Sequence, residues 1–138
     1  MKLQFTIPLE PRAQKRDRIT TIAGHGSSYK HPDQAKYEAK VAALLSQHRP
    51  ENPLEGSLGL YLVCYLPIPA SKPKKWKLAA FNGEIHPTGK PDCDNLAKNI
   101  LDVMNGIFFR DDSQIIDLRV VKIYSENPRW EITLEDIK

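Results

Sequence analysis

The sequence is poor in the residues that staple a fold, hold soft metals or cross membranes. Of 138 residues only two are cysteine, Cys64 and Cys93. That is too few for a secreted disulfide framework, and a reducing, cytoplasmic setting is the expectation. With 41% hydrophobic residues the chain can build a core without such staples. The opening MKLQFTIPLEP contains neither a long apolar run nor a small-residue cleavage site, so a signal peptide is not expected. The longest apolar stretch, LGLYLVCYLPIP, is far short of a bilayer span. The two cysteines and the histidines His25, His31, His48 and His86 lack the spacing of a zinc site. There is no glycine-rich phosphate loop and no GxSxG elbow. A calcium loop beginning at Asp92 also fails. Its fifth, sixth and twelfth positions would be Leu96, Ala97 and Val103, where oxygen ligands and a glycine are required.

Charge, by contrast, is abundant and unevenly spread. The net charge is +3. Residues 1–91 hold 14 Lys/Arg against 7 Asp/Glu, and residues 92–138 hold 6 against 10. A basic part that binds phosphates and an acidic part that binds metal would suit a protein acting on a polyanion. A mixed, solvated surface accounts for the same numbers.

Periodicity predicts an α+β fold in a single small domain over residues 1–138. A mixed sheet would carry two main helices, in the order β-α-β-α-β-β. KLQFTI alternates Leu3, Phe5 and Ile7 as a strand that Pro8 stops. The basic segment after it reads as a long loop with room for a short hairpin. Tyr37, Val41, Leu44 and Leu45 form the apolar stripe of a first helix, with Pro32 near its first turn. SLGLYLVCYLP is a strand with Leu58, Leu60, Leu62, Cys64 and Leu66 on one face. Residues 68–90, rich in proline, glycine and lysine, read as a flexible basic connection. The stretches IIDLRVVKIYS and RWEITLEDI close the chain as two strands, with ENP between them as a hairpin turn.

The second helix is expected from about Asp94 to Gly106. Leu96, Ile100, Val103, Met104 and Ile107 form its core stripe. Asp94, Lys98 and Asp102, four apart, share its polar face. Asp94 stands where an N-cap is expected, and Gly106 where the helix should stop. Capping and an ion-paired face explain most of this, but one cap leaves Asp92 without a task. A second acidic pair, Asp111 and Asp112, precedes the next strand. If the strand ends bring Asp112 back to Asp92 and Asp94, three carboxylates would face one point and need a cation between them. Hard oxygen ligands suit Mg²⁺.

The stretch KPDCDNLAKNILDVMNGIFFRDDSQIIDLRVVKIY resembles the signature region of RusA-type Holliday-junction resolvases. The shared features are the DxDN start, a lysine four residues after the second Asp, the acidic pair before a strand, and a later Lys and Tyr. FTIPLEPRAQKRDR looks like the family's opening strand, proline and basic segment, and YLPIPASKPKKWK like a variable basic loop of some members. The resemblance implies a homodimeric, Mg²⁺-dependent endonuclease, often encoded by prophages, with Mn²⁺ as a substitute metal. It would resolve four-way DNA junctions by paired symmetric phosphodiester hydrolysis. Carried across by position, the catalytic and metal-binding residues would be Asp92, Asp94 and Asp112, with Asp111 a supporting neighbour and Lys98 the functional lysine. Asn95 matches the motif's asparagine. Cys93 departs from it, since an aliphatic residue is more usual there; the ligand set is untouched.

Two basic clusters would then contact DNA: Arg12, Lys15, Arg16 and Arg18, and Lys72, Lys74, Lys75 and Lys77. Trp76, inside the second, either stacks on an exposed base at the crossover or packs on its own domain. Two other readings compete: a non-catalytic junction-binding protein that retains the fold, and a metal-binding structural domain with a basic surface.

Overall fold

The five alternate residues Leu58, Leu60, Leu62, Cys64 and Leu66 are all buried, so one strand face makes the centre of the core. A computed structural model describes residues 1–14, 18–22 and 25–138, and residues 18–22, 25 and 27–29 by their backbone only. The strands are β1 (Lys2–Ile7), β2 (Arg18–Ile22), β3 (His25–Tyr29), β4 (Leu58–Pro67), β5 (Ile115–Ser125) and β6 (Arg129–Asp136). The helices are α1 (Pro32–Leu45), α2 (Lys74–Phe81) and α3 (Cys93–Met104), and a single 3₁₀ turn spans Asp112–Gln114. Four strands form one mixed sheet in the order β1-β6-β4-β5, with β4 and β5 parallel and the other pairs antiparallel. The helices pack on it, so the α+β architecture stands.

Three expectations about the fold need correction. The order β-α-β-α-β-β omitted two strands, because the long basic loop contains the hairpin for which it had room: β2 and β3 pair antiparallel as a separate two-stranded sheet. The connection of residues 68–90 contains a third helix, α2. Its lysines hid a real helical signal. Trp76 and Ala80, four apart, turn inward, and Ala80 is buried while Trp76 meets Tyr124 edge-on at 5.6 Å. Finally, ENP is no hairpin turn, because β4 lies between β5 and β6. Three residues can cross the two strand spacings involved, roughly 10 Å, and the alternation that marks a strand says nothing about its neighbours.

The largest buried side chains are Trp130, Phe108 and Phe109. Polar atoms in this core are paired. The Trp130 Nε1–H donates to the Tyr37 hydroxyl at 2.9 Å, which donates to the Glu10 carbonyl at 2.7 Å. Burial pushes the Tyr37 hydroxyl up to about 12, so it stays neutral. Among the described residues, no helix is long and apolar enough to cross a membrane.

Candidate metal centre and nucleic-acid surface

Helix α3 positions the acidic residues. Leu96, Ile100 and Met104 are buried along one stripe, and Asn99 is buried beside them. Asn99 is held on both sides: its Oδ1 accepts from Gln34 Nε2 of α1 at 2.9 Å, and its Nδ2 donates to the Arg12 carbonyl at 2.7 Å. The polar face therefore cannot roll inward. The helix starts at Cys93, and its N-cap lies two residues earlier than expected. Asp92, not Asp94, is its N-cap, and the Asp92 carbonyl accepts from the Leu96 N–H. The Asp92 carboxylate makes no capping hydrogen bond. Asp94 stands in the first turn, where the free N–H groups favour negative charge.

The segment leading into this end is fastened from the sheet. Lys122 of β5 donates to the carbonyls of Gly89 and Pro91, at 2.8 and 3.0 Å. A cis peptide joins Lys90 to Pro91. The half-buried Cys93 donates its thiol to the Val120 carbonyl at 3.8 Å, the packing role expected of a small side chain. Burial pushes the Cys64 thiol up to about 12, so that group is inert.

The far end of α3 is built differently. Asn105 caps the helix, and Gly106 follows with φ +82°, the conformation that favours glycine. The chain then turns through the buried Phe108 and Phe109. Asp111 caps the following 3₁₀ turn: its carboxylate accepts from the Ser113 N–H, and Gln114 Oε1 accepts from the Asp111 N–H. Hydrogen bonds from the Ser113 side chain and backbone hold Asp111 below the usual carboxylate range. Gln114 also donates to the carbonyls of Leu54 and Gly56, which ties the turn to the start of β4.

Side chains with and without structural tasks thus separate cleanly. Asp111 caps, and Asp102 accepts from Gln14. Lys98 does not bridge Asp94 and Asp102, so the ion-paired face does not form. Asp92, Asp94, Lys98 and Asp112 are exposed, and no side-chain hydrogen bond or ion pair engages them among the described residues. Asp92 and Asp94 both stand at the N-terminal end of α3. Asp112 stands beyond the other end, with twelve helical residues between them, roughly 18 Å. Among the described residues, no three His, Cys, Asp or Glu side chains converge as a metal site.

The basic clusters are only partly visible. Lys15 and Arg16 lie outside the described residues, and so does the side chain of Arg18. Arg12 is exposed, with its guanidinium 5.3 Å from the Tyr37 ring centre. Lys72, Lys74, Lys75 and Lys77 surround α2, whose three lysines are helical rather than part of a loop. Trp76 is half-buried between Tyr124 and the Lys72 ammonium, 5.1 Å from its ring centre. It docks α2 onto β5. The exposed aromatic of this region is Phe81, which sequence reasoning missed. Its spacing from the lysines, seven residues after Lys74 and four after Lys77, was the available signal.

Comparison with known proteins finds similarity along nearly the whole chain. The family model described as endodeoxyribonuclease RusA matches residues 8–135. An uncharacterized protein of Bacillus subtilis (strain 168), YqaN, is 39% identical over 138 residues, covering 98% of this chain and 96% of its own. A crossover junction endodeoxyribonuclease, rusA, of Lactococcus phage r1t is 29% identical over 140 residues, covering 99% of this chain and 100% of its own.

Proposed function

Because this chain belongs to the RusA endodeoxyribonuclease family, we propose that it is a Mg²⁺-dependent, structure-selective endonuclease that resolves four-way DNA junctions as a homodimer. The observation that carries this reading is the division of labour among the acids: among the described residues, Asp92, Asp94 and Asp112 have no side-chain partner, while Asp102 and Asp111 do. Free, exposed carboxylates at a helix N-terminus suit a cation, and Mg²⁺ is usually held by one or two carboxylates with water and a substrate phosphate. Asp92 and Asp94 fit that donor set. Bound Mg²⁺ would lower the pKa of a coordinated water and offset charge on the departing 3′ oxygen. Lys98, one turn along α3 from Asp94, holds the scissile phosphate and offsets its growing negative charge. Lys122 keeps the Gly89–Pro91 backbone, and with it Asp92, in place.

Asp112 enters through the dimer. One chain leaves it roughly a helix length away, so in this reading a second copy supplies it to the Asp92–Asp94 pair. Two-fold symmetry then makes two identical sites and two symmetric cuts. Asp111 supports by fixing the turn that presents Asp112. The lysines of α2 and the basic segment after β1 hold the DNA arms through phosphate contacts.

The test is incubation of the purified protein with Mg²⁺ and a synthetic four-way junction, beside a linear duplex of the same sequence. Paired symmetric nicks confined to the junction are expected. Junction binding without nicks would instead establish the non-catalytic reading, and neither binding nor cutting would overturn both.

A further inference from the structure

Helix α2 buries one face and leaves another unpaired. Lys74, Lys77, Leu78 and Phe81 are spaced i, i+3, i+4 and i+7, so they share a face. Leu78 and Phe81 are 60% and 57% exposed, unusual for large apolar side chains standing together. They form the wall of a groove of about 710 Å³ that runs along Pro67 and Ile68 to Ser125 and Glu126, with Lys74 and Lys77 on its rim. Pro67 also lines the adjoining hollow, which reaches Lys90 and Pro91. Those residues lead directly into Asp92. The groove and the acidic end of α3 therefore open at the same end of the sheet, where β4 and β5 finish.

We propose that this groove takes an unstacked nucleotide of the DNA substrate, with its base against Leu78 and Phe81 and its phosphates on Lys74 and Lys77; this rests on the junction-endonuclease reading above. The argument is one of complementarity. An apolar wall alone would suit many partners. A wall rimmed by Lys74 and Lys77, with Glu126 the single acid in the lining, suits a partner that carries repeated negative charge and flat apolar faces. Unpaired nucleotides have both, and a basic groove with an aromatic platform is how proteins hold them. Apolar side chains that enter a base step also hold it open. A two-fold contact between two copies through this face would set the same lysines against each other, which disfavours a self-interface. The role falls to Phe81 rather than Trp76, because Trp76 is occupied in docking the helix on Tyr124.

A four-way junction carrying 2-aminopurine at the branch point reports unstacking as a rise in fluorescence. It should be titrated, without divalent metal, with the wild-type protein, the Leu78→Ser/Phe81→Ser variant and Phe81→Tyr. Wild type and Phe81→Tyr should raise the fluorescence. The double variant should not, and its affinity for the junction should fall about five- to a hundredfold, the range of one lost base stack. Both substitutions are at exposed positions, and thermal melts of the variants should match wild type. Junction binding with an equal fluorescence rise in the double variant would overturn this inference and leave the endonuclease reading standing. Loss of a dimer in sedimentation would overturn it by showing that the face joins two copies. Failure of wild type to bind any junction would overturn the endonuclease reading and this inference with it.

Discussion

Asp92 and Asp94 open α3, and Asp111 and Asp112 follow its end, so a single helix separates two acidic pairs of similar composition. Their surroundings differ. At the far end, Asp111 is held by Ser113 and Gln114 in a reciprocal cap, and Gln114 is itself tied to β4. At the near end, neither carboxylate caps anything, and the backbone below them is fastened by Lys122 instead. An acid with a hydrogen-bonded partner stabilises the fold. A solvated acid held in position without one contributes little to it and stays available to a cation. Composition cannot tell these apart; hydrogen-bond partners can.

The comparison is most open to refutation at its catalytic side. Asp92→Asn, Asp94→Asn and Asp112→Asn should each abolish junction cutting, while junction binding stays intact or tightens for Asp112→Asn as a charge facing phosphates is lost. Normal cutting rates in any of them would remove that residue from the site. Co-expression of Asp94→Asn with Asp112→Asn then asks which chain supplies Asp112. If it comes from the second copy, mixed dimers keep one intact site and nick one strand; if all three acids act within one chain, the mixture is silent.

Smaller effects test the supports. Asn99→Ala strips a buried partner from Gln34 and from the Arg12 carbonyl and should cost about 2 kcal/mol, read from the denaturant midpoint. Lys122→Met should cut activity about tenfold, as loss of a supporting contact typically does. The Mg²⁺ concentration for half-maximal cutting should rise while metal-free junction binding holds, and an unchanged Mg²⁺ dependence would deny Lys122 its positioning role. Asp111→Ala should have the smallest effect, a modest fall in melting temperature. Because the folded-state pKa of Asp111 lies below its ordinary value, its contribution is complete above about pH 4. It disappears as pH falls through the lower folded value. A melting difference that persisted in strong acid would contradict the cap.

Much of this was legible in the residues. The strands β1, β4, β5 and β6 and the helices α1 and α3 follow from alternation and helical spacing, because a half-buried element must repeat with its own period. Helix α2 was hidden because its lysines suggested a solvated connection, and two inward residues, Trp76 and Ala80, are a thin stripe. The N-cap was misplaced by two residues, since DxD offers two carboxylates and only backbone geometry selects one. The ENP turn misled because short connections usually join neighbours, whereas β4 had already been laid between the final strands.

By itself the sequence determined which residues face inward and which acids and bases are available, since burial periodicity and side-chain chemistry are local properties. The tertiary structure decided which acids are hydrogen-bonded, and that Asp112 lies a helix away from Asp92 and Asp94. Hydrogen-bond partners far apart in the chain, such as Gln34 with Asn99 and Lys122 with Pro91, meet only when the sheet order is set. That order depends on how whole elements pack, which no local spacing records.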